Sequence, residues 1–407
     1  MSRVALIGPE LSPIPPLRGG ATEQFIHQLA GRLSRWQPVV IGVGDPELPL
    51  REIRGPVEYF RVPLTGWRKW LYRRHRQYFP YYDRKVMEIV RQVQPALLHV
   101  HNRPLLALSL KRWLPHLPLI LHMHNLYNIL GKRERPAPGT PIPVEGFVAC
   151  SRFVLEQEEQ RLAAGAASRF VLYNGVDPEA FAPWWDQGGT RRMEVRRRYG
   201  LQDEPTVLFV GKLRESKGVG VLLAAMDLVW RRLPQAVLVL VGGTEFGYGR
   251  LKRRTPFWQK LQKQLAGAAG RVILTGFIPP PEVPQAYLLG DLCAAPSQIP
   301  EGLPLVTLEA LASGLPVVTT TMGGIPEVVR EGVNGLLLKR KDDTLELADK
   351  IVRLLTDAGE REALGRQGRH QVAQQFSWDH IARQQEEIYD QVLAASASRA
   401  SGPYAEN

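Results

Sequence analysis

Short apolar runs alternate along the chain with longer stretches in which apolar residues recur every three or four positions. The runs are typical of buried strands, and the stretches are typical of helices that pack on one face. Their alternation predicts a parallel sheet covered by helices on both faces. In the first half the predicted strands are 4–7, 39–43, 97–100 and 119–122, and the predicted helices are 21–36 and a segment around 86–93.

The same alternation starts again near residue 205. Between the halves, residues 184–200 are rich in Gly and Arg and lack periodicity, which indicates a linker with a short helix. A last helix is predicted over 378–393, and residues from 394 onward are expected to fray. The strands predicted in the second half are 205–211, 236–241, 272–275, 292–295 and 316–319, and its first helix is 218–232.

These elements predict an α/β protein with two Rossmann-like, parallel-sheet domains that face a central crevice. We place the domains at 1–183 and 205–376, with 184–204 as the linker. In such sheets ligands bind beyond the carboxyl ends of the strands.

Composition narrows the classes of function. Of the 407 residues, 44% are apolar and 23% are charged, as in ordinary globular proteins. Cys150 and Cys293 lie far apart, which excludes a disulfide framework and a cysteine zinc site. No apolar run reaches the ~18 residues of a membrane span or resembles a signal peptide, so we expect a cytoplasmic protein. The net charge of +12 favours anionic partners: phosphate-bearing ligands, nucleic acid or a membrane surface.

The loop and helix start at 300–314 form the strongest candidate for holding a phosphate. Pro304 suits the first helical position, and no Ser, Thr, Asp or Asn stands where an N-cap should be. The backbone N–H groups near Gly302 and Leu303 are therefore available to an anionic ligand.

Two carboxylates flank this helix start. Glu301 and Glu309 would lie on the order of 8–10 Å apart along the helix axis. They could accept hydroxyl hydrogen bonds at opposite ends of one diphosphate ligand. Alternatively, they form an acidic first turn that complements the helix dipole, with Glu309 facing solvent.

Three other loops also combine glycine with the start of a helix, and in one of them, residues 321–327, Pro326 is expected to open the helix. Residues 211–218 include Lys212 and Lys217, whose ammonium groups suit a diphosphate, although an ordinary basic surface loop has the same composition. Gly19 and Gly20 follow the first strand and would let the backbone approach a ligand closely, unless they form a plain turn.

His99, His101, His122 and His124 cluster at the ends of two predicted neighbouring strands. They are structural, or they include one catalytic or ligand-polarising histidine, or they bind a metal. No Asp or Glu accompanies them locally, so we expect no metal site.

The segment 66–85 interleaves Lys and Arg with aromatic residues. This pattern suits an anionic membrane interface or stacking on single-stranded nucleic acid, unless the segment is a solvated helix with buried aromatic rings. The dinucleotide-binding GxGxxG pattern and the P-loop are both absent, which disfavours nicotinamide dehydrogenases and P-loop ATPases.

Together these motifs resemble those of the retaining glycosyltransferases of family 4, which have the GT-B fold. The resemblance covers nearly the whole chain and implies that helix 378–395 crosses back to the N-terminal domain. The 101–104 motif also resembles the spore-coat protein SA type of this family, which implies synthesis of an envelope, capsule or spore-coat polysaccharide. The matching motifs are Gly19-Gly20, His-Asn-Arg-Pro at 101–104, Ala-Cys-Ser at 149–151, Asn-Gly-Val-Asp at 174–177, Gly-Lys…Lys-Gly at 211–218, Glu301-x7-Glu309, Gly-Gly-Ile-Pro-Glu at 323–327, Asn-Gly-Leu-Leu at 334–337 and Phe-Ser-Trp-Asp from 376.

The resemblance implies a UDP- or GDP-sugar donor, a glycan or lipid-linked acceptor, and neither a bound cofactor nor a metal. It also implies peripheral contact with an anionic membrane rather than with nucleic acid. The site residues it implies are Glu301 for hydroxyl groups of the donor sugar, Glu309 for the ribose, His124 near the reacting sugar, Lys212 and Lys217 with Gly19, Gly20, Gly302 and Leu303 for the diphosphate, and Ile278 for the base.

Two other functions stay open. A GT-B-fold sugar-nucleotide epimerase would act on the donor without an acceptor, although the Glu301-x7-Glu309 pattern disfavours it. A basic nucleic-acid-binding protein would need its cations on one face. They are instead divided between the glycine loops and the segment 66–85.

Overall fold

The chain folds into two compact units. One unit is residues 1–174 with 378–407, and the other is residues 175–377. Residues 175–204, which the sequence analysis divided between the first domain and a linker, group with the second unit. The computed structural model describes residues 1–10, 12–64, 80–126, 140–162, 165, 168–243 and 256–400, so most of the segment 66–85 lies outside the described residues.

The first unit is built on an eight-stranded sheet with the order β3-β4-β2-β1-β5-β6-β7-β8. Its strand pairs are parallel except for the β3–β4 hairpin at one edge. The strands are β1 Arg3–Ile7, β2 Gln37–Val43, β3 Arg51–Arg54, β4 Val57–Val62, β5 Leu97–His101, β6 Leu119–Met123, β7 Gly146–Ala149 and β8 Ser168–Val171.

Helices cover this sheet, and the C-terminal helix packs with them. Trp378 and Tyr389 of that helix share one buried core with Phe25 and Leu29 of the first helix. Central strands buried on both faces require such a cover. The helices of this unit are α1 Ala21–Ala30, α2 Pro80–Val93, α3 Pro104–Trp113, α4 Arg152–Leu162 and, last in the chain, α12 Trp378–Ala400.

The second unit has a six-stranded, all-parallel sheet with the order β11-β10-β9-β12-β13-β14. Its strands are β9 Thr206–Val210, β10 Val237–Val241, β11 Val272–Gly276, β12 Leu292–Ala295, β13 Val317–Thr320 and β14 Gly335–Leu338. Its helices are α5 Thr190–Arg198, α6 Val219–Arg232, α7 Pro256–Gly267, α8 Val283–Tyr287, α9 Leu305–Ala312, α10 Thr344–Thr356 and α11 Ala358–Gln375.

These sheets confirm the predicted α/β class with two parallel-sheet domains. No helix in the described ranges is both long and apolar enough to cross a bilayer.

Several predicted helix limits were wrong. Helix α1 ends at Ala30, before Gly31, although the side chains of Leu33 and Trp36 beyond it are buried as the apolar pattern required. Pro304 is the N-cap of α9 in extended conformation rather than its first helical residue.

Two further limits differ near the end of the chain. The helix predicted to begin at Pro326 is only one 3₁₀ turn, Ile325–Glu327. Helix α12 continues through Ala394 to Ala400 instead of fraying at 394, since its Ala-rich end favours helix.

Candidate functional site

In the second unit, three loops meet beyond the carboxyl ends of the neighbouring strands β9, β12 and β13. Their backbones fit too closely for side chains at two glycines. A Cβ on Gly218, whose φ is +75°, would lie 1.8 Å from the carbonyl oxygen of Pro296. A Cβ on Gly323, whose φ is +69°, would lie 2.0 Å from the carbonyl oxygen of Glu301. Gly324 N–H also donates to that oxygen at 2.9 Å, so the loops hold the Glu301 backbone in place.

The Glu301 carboxylate is held by two side chains from these loops. Lys217 Nζ donates to Oε2, and Ser297 Oγ donates to Oε1. The side chains of Glu301 and Lys217 are 16% and 34% exposed, so a ligand can reach both. The structure therefore brings together two of the residues expected at a donor-sugar diphosphate.

Helix α9 starts beside this pair. Its N-cap, Pro304, makes no side-chain capping hydrogen bond, and the two preceding residues, Gly302 and Leu303, are buried. A helix start that lacks a side-chain cap, next to a lysine, favours an anion.

Glu309 lies in the second turn of α9 and is half-buried, whereas the acidic-turn alternative required a carboxylate that faces solvent. Tyr287 Oη donates to its Oε2 at 2.7 Å, and the Tyr287 side chain is fully buried. Burial raises the pKa of the Glu309 carboxyl above its usual value, while the Tyr287 hydrogen bond opposes that rise. Burial, with the nearby Glu309, also raises the pKa of the Cys293 thiol to about 12, so this cysteine is a poor nucleophile.

The other residues expected at the donor site follow β9 and β11, two strands of the same sheet that are separated by β10. Lys212 follows β9 after Gly211, whose φ is +144°, and is half-buried. Ile278 follows the edge strand β11 and is also half-buried. Across the described part of the chain, no hydrogen bond joins Ile278 to Glu301 or Glu309.

In the first unit, the four histidines His99, His101, His122 and His124 form a buried tetrad at the carboxyl ends of β5 and β6. His99 Nε2 lies 3.2 Å from His122 Nδ1, and His101 Nδ1 lies 2.9 Å from His124 Nε2. The two hydrogen-bonded pairs lie against each other. Ring centroids are 4.1 Å apart for His99 and His101, whose rings are tilted by 35°, and 4.0 Å apart for the stacked rings of His122 and His124.

Burial lowers the pKa of every histidine in the tetrad. The pKa of His124 falls to about 3, although a hydrogen bond with Asn174 opposes the shift. For the other three, burial lowers the pKa well below its usual value, and neighbouring histidines add to the effect. The tetrad is therefore neutral at physiological pH.

Ligand nitrogens of His99, His101 and His122 lie within 4.8 Å of one another, a spacing that a metal site also has. The His99 and His122 rings, however, are parallel within 2°, with centroids 5.3 Å apart and nitrogens 3.2 Å apart. The two nitrogens therefore point at each other, as in a hydrogen bond. A tetrahedral zinc ion bound to both would instead need the two nitrogen lone pairs to converge on a point beside the line that joins the nitrogens. This geometry fits a shared proton better than a metal.

Asn102 links His124 to the glycine loop in front of α1. It is buried, has a φ of +54°, and accepts a hydrogen bond from the His124 backbone N–H at 2.8 Å. Its side-chain amide donates to Thr22 Oγ1 at 2.9 Å, in the first turn of α1. Gly19 and Gly20, with φ of +80° and +142°, lead into that turn. The structure thus connects the first-unit residues that the sequence analysis selected.

Sequence reasoning missed Ser297, Tyr287 and the part played by Asn102. Ser297 stands four positions before Glu301, a spacing that could have suggested the contact. Tyr287 is 22 positions from Glu309 and belongs to another helix, so no local pattern indicates it. Asn102 lay within a recognised motif, but its role depends on the pairing of β5 with β6.

Two family models match the chain. A model of the glycosyl transferases group 1 matches residues 204–357, and a model of glycosyltransferase family 4 matches residues 19–180. Spore coat protein SA of Bacillus subtilis is 30% identical over 95% of this chain and 99% of its own length. The lipopolysaccharide 1,2-N-acetylglucosaminetransferase of Salmonella typhimurium is 26% identical over 92% of this chain and 94% of its own length.

Solved structures share the fold. The sucrose-phosphate synthase of Thermosynechococcus elongatus superposes with a TM-score of 0.78 at 22% identity, covering 97% of this chain and 100% of its own. The Anabaena protein HepE, solved in complex with UDP and glucose, superposes with a TM-score of 0.74 at 21% identity, covering 96% of this chain and 100% of its own. The chain, with its GT-B architecture of two parallel-sheet units, belongs to glycosyltransferase family 4.

Proposed function

We propose that this protein transfers a sugar, with retention at the anomeric carbon, from a UDP- or GDP-sugar to a glycan or lipid-linked acceptor. The observation that carries the proposal is the pairing of Glu301 with Lys217 next to the start of α9, with Glu309 held in the following turn. A sugar nucleotide presents hydroxyl groups at both ends of an anionic diphosphate, and this arrangement offers two carboxylates, with the Lys217 ammonium group and the start of α9 beside Glu301. The UDP and glucose in the HepE complex support this class of donor.

In the proposed reaction, the bond between the anomeric carbon and the diphosphate oxygen breaks, and negative charge grows on the leaving diphosphate. Lys212, Lys217 and the start of α9 stabilise that charge, because fixed cations and N–H groups need no reorganisation as it forms. Glu301 binds hydroxyl groups of the donor sugar, and Glu309 binds the ribose. The N–H groups near Gly302 and Leu303 face the diphosphate.

The acceptor's proton goes to a donor phosphate oxygen. The reaction then needs no nucleophile from the protein. His124 acts near the reacting sugar as a hydrogen-bond partner rather than as an acid, because a pKa of about 3 leaves it neutral at pH 7. The loop at Gly19 and Gly20 approaches the diphosphate through its backbone. Ile278 contributes its backbone to the base.

The reaction proposed here needs no metal, because side-chain cations and a helix start carry the charge. The products proposed are envelope, capsule or spore-coat polysaccharides, as the similarity to spore coat protein SA suggests. An acceptor of that kind resides at a membrane, which the basic segment 66–85 would contact through anionic lipid.

A donor panel with nucleotide release as the readout tests the proposal. UDP-glucose, UDP-N-acetylglucosamine and GDP-mannose are offered to the wild-type protein with and without saccharide acceptors. Release that depends on an acceptor supports transfer. Isomerised or hydrolysed sugar without an acceptor would contradict it in favour of an epimerase, and no turnover of any donor would contradict it outright.

Substitutions then separate the two glutamates. Glu301→Gln should lower kcat roughly tenfold to a hundredfold, since a charge-assisted hydrogen bond of ~1.5–3 kcal/mol is lost where the transition state forms. Glu309→Gln should mainly raise donor KM and weaken the binding of free nucleotide, because the ribose does not react and is bound equally in the ground and transition states. The exposed Glu194 on α5 provides the control, Glu194→Gln. If both site variants weaken the binding of free nucleotide equally, the assignment of Glu301 to the sugar and Glu309 to the ribose is contradicted.

A further inference from the structure

Glu309 and Tyr287 form a contact that the proposed function does not by itself require. Tyr287 Oη donates to Glu309 Oε2 at 2.7 Å. Within the described residues this is the only hydrogen bond to the Glu309 carboxylate. Glu309 is only half-buried, so its second oxygen keeps its lone pairs for a ligand hydroxyl group.

The tyrosine is itself fixed in place. It ends helix α8, its side chain is fully buried, and Phe181 packs edge-on against its ring with centroids 5.5 Å apart. A buried ring fixed in this way holds the hydroxyl group, and with it one carboxylate oxygen, in one position. The carboxylate therefore keeps one orientation before a ligand arrives, which lowers the entropy cost of binding.

We propose that Tyr287 is a positioning residue, which orients the Glu309 carboxylate so that its second oxygen accepts a hydrogen bond from a ribose hydroxyl group of the nucleotide. This inference rests on the proposed function, which places the ribose at Glu309. Tyr287 touches neither the nucleotide nor the sugar and acts only through Glu309.

The test compares nucleotides that differ only in a ribose hydroxyl group. Affinities for UDP, 2′-deoxy-UDP and 3′-deoxy-UDP are measured by calorimetry on the wild-type chain, Tyr287→Phe and Glu309→Gln; guanosine diphosphates replace them if the donor panel selects GDP. Tyr287→Phe keeps the ring packed on Phe181 and removes only the hydroxyl group. The half-buried Tyr199 gives the matched control, Tyr199→Phe.

The wild-type chain should bind UDP about tenfold more tightly than the deoxy compound that lacks the contacted hydroxyl group. Tyr287→Phe should lose most of this discrimination. Its affinity for UDP should fall severalfold to tenfold, while its affinity for the deoxy compound should stay nearly unchanged. Its donor KM should rise, with kcat at saturating donor within about twofold of wild type. Tyr199→Phe should match wild type throughout.

Two outcomes would overturn the inference while leaving the proposed function intact. In one, Tyr287→Phe keeps the wild-type discrimination. In the other, it weakens the binding of UDP and of both deoxy compounds equally, as general damage to the fold would. The proposed role of Glu309 fails separately if wild type and Glu309→Gln bind UDP and both deoxy compounds alike.

Discussion

Lowering the pH from 7.5 to 5.5 should destabilise the first unit by about 5 kcal/mol, through the histidine tetrad. The tetrad side chains are between 0% and 6% exposed, and each has a pKa lowered by burial. In this window the unfolded chain binds protons that the folded chain does not, so stability falls as the pH falls.

The magnitude follows from the shifts. An unfolded histidine has a pKa of ~6.5, so at pH 5.5 it is mostly protonated. The pKa of folded His124 is about 3, and the pKa of the other three lies well below the ordinary value. At ~1.36 kcal/mol per pKa unit, each histidine costs between about 1 and 2 kcal/mol at pH 5.5 and almost nothing at pH 7.5. His27, whose pKa burial also lowers, adds to the same trend.

Amide hydrogen exchange in β5 and β6, corrected for intrinsic rates, measures the free energy of unfolding of this unit at both pH values. His122→Asn should reduce the difference in unfolding free energy between the two pH values by about a quarter, whatever it does to stability at either one. The exposed His116 supplies the control, His116→Gln, which should leave the difference unchanged. The reasoning would be refuted if the free energy of unfolding of the wild-type unit differed by less than about 1.5 kcal/mol between the two pH values. An equal effect of His122→Asn and His116→Gln on that difference would also refute it.

Two other predictions concern the second unit. Turnover should persist in excess EDTA, because Lys212, Lys217 and the start of α9 carry the diphosphate charge; loss of activity that Mg²⁺ or Mn²⁺ restores would contradict this. Gly323→Ala and Gly332→Ala both place a side chain at a φ near +70°, but only the first brings Cβ within 2.0 Å of the Glu301 carbonyl oxygen, while Gly332 has open space. Gly332→Ala should therefore lower the free energy of unfolding by about 1–2 kcal/mol and leave the affinity for UDP unchanged. Gly323→Ala should lower the free energy of unfolding further and weaken the binding of UDP. Equal effects of the two substitutions would disprove the packing argument.

Much of the fold could be predicted because local patterns encode it. Central strands such as β1 and β10 are buried on both faces and read as continuous apolar runs. The edge strand β3, with the sequence Arg-Glu-Ile-Arg, is mostly exposed and offers no such run. Helix α1 was predicted too long because Leu33 and Trp36 keep the helical spacing beyond Gly31, where the chain already turns.

The candidate site was predictable only in part for a similar reason. Glycine, lysine and glutamate at fixed spacings mark the loops, but those spacings do not predict that Lys217 lies against Glu301. The partners that fix the side chains come from other elements. Tyr287 reaches Glu309 from α8, and Asn102 reaches His124 across two strands, so only tertiary structure brings them together.

The close fit of the second-unit loops also bears on how such a protein changes in evolution. Gly218 lies against Pro296, and Gly323 lies against Glu301, with no room for a side chain at either contact. A mutation that moves one of these loops displaces its neighbours, so we expect the three loops to tolerate change only as one module. Ile278 follows a different strand, at the edge of the sheet, and takes no part in these two contacts. Lineages can therefore diversify at such peripheral positions while the glycine-packed module stays constant.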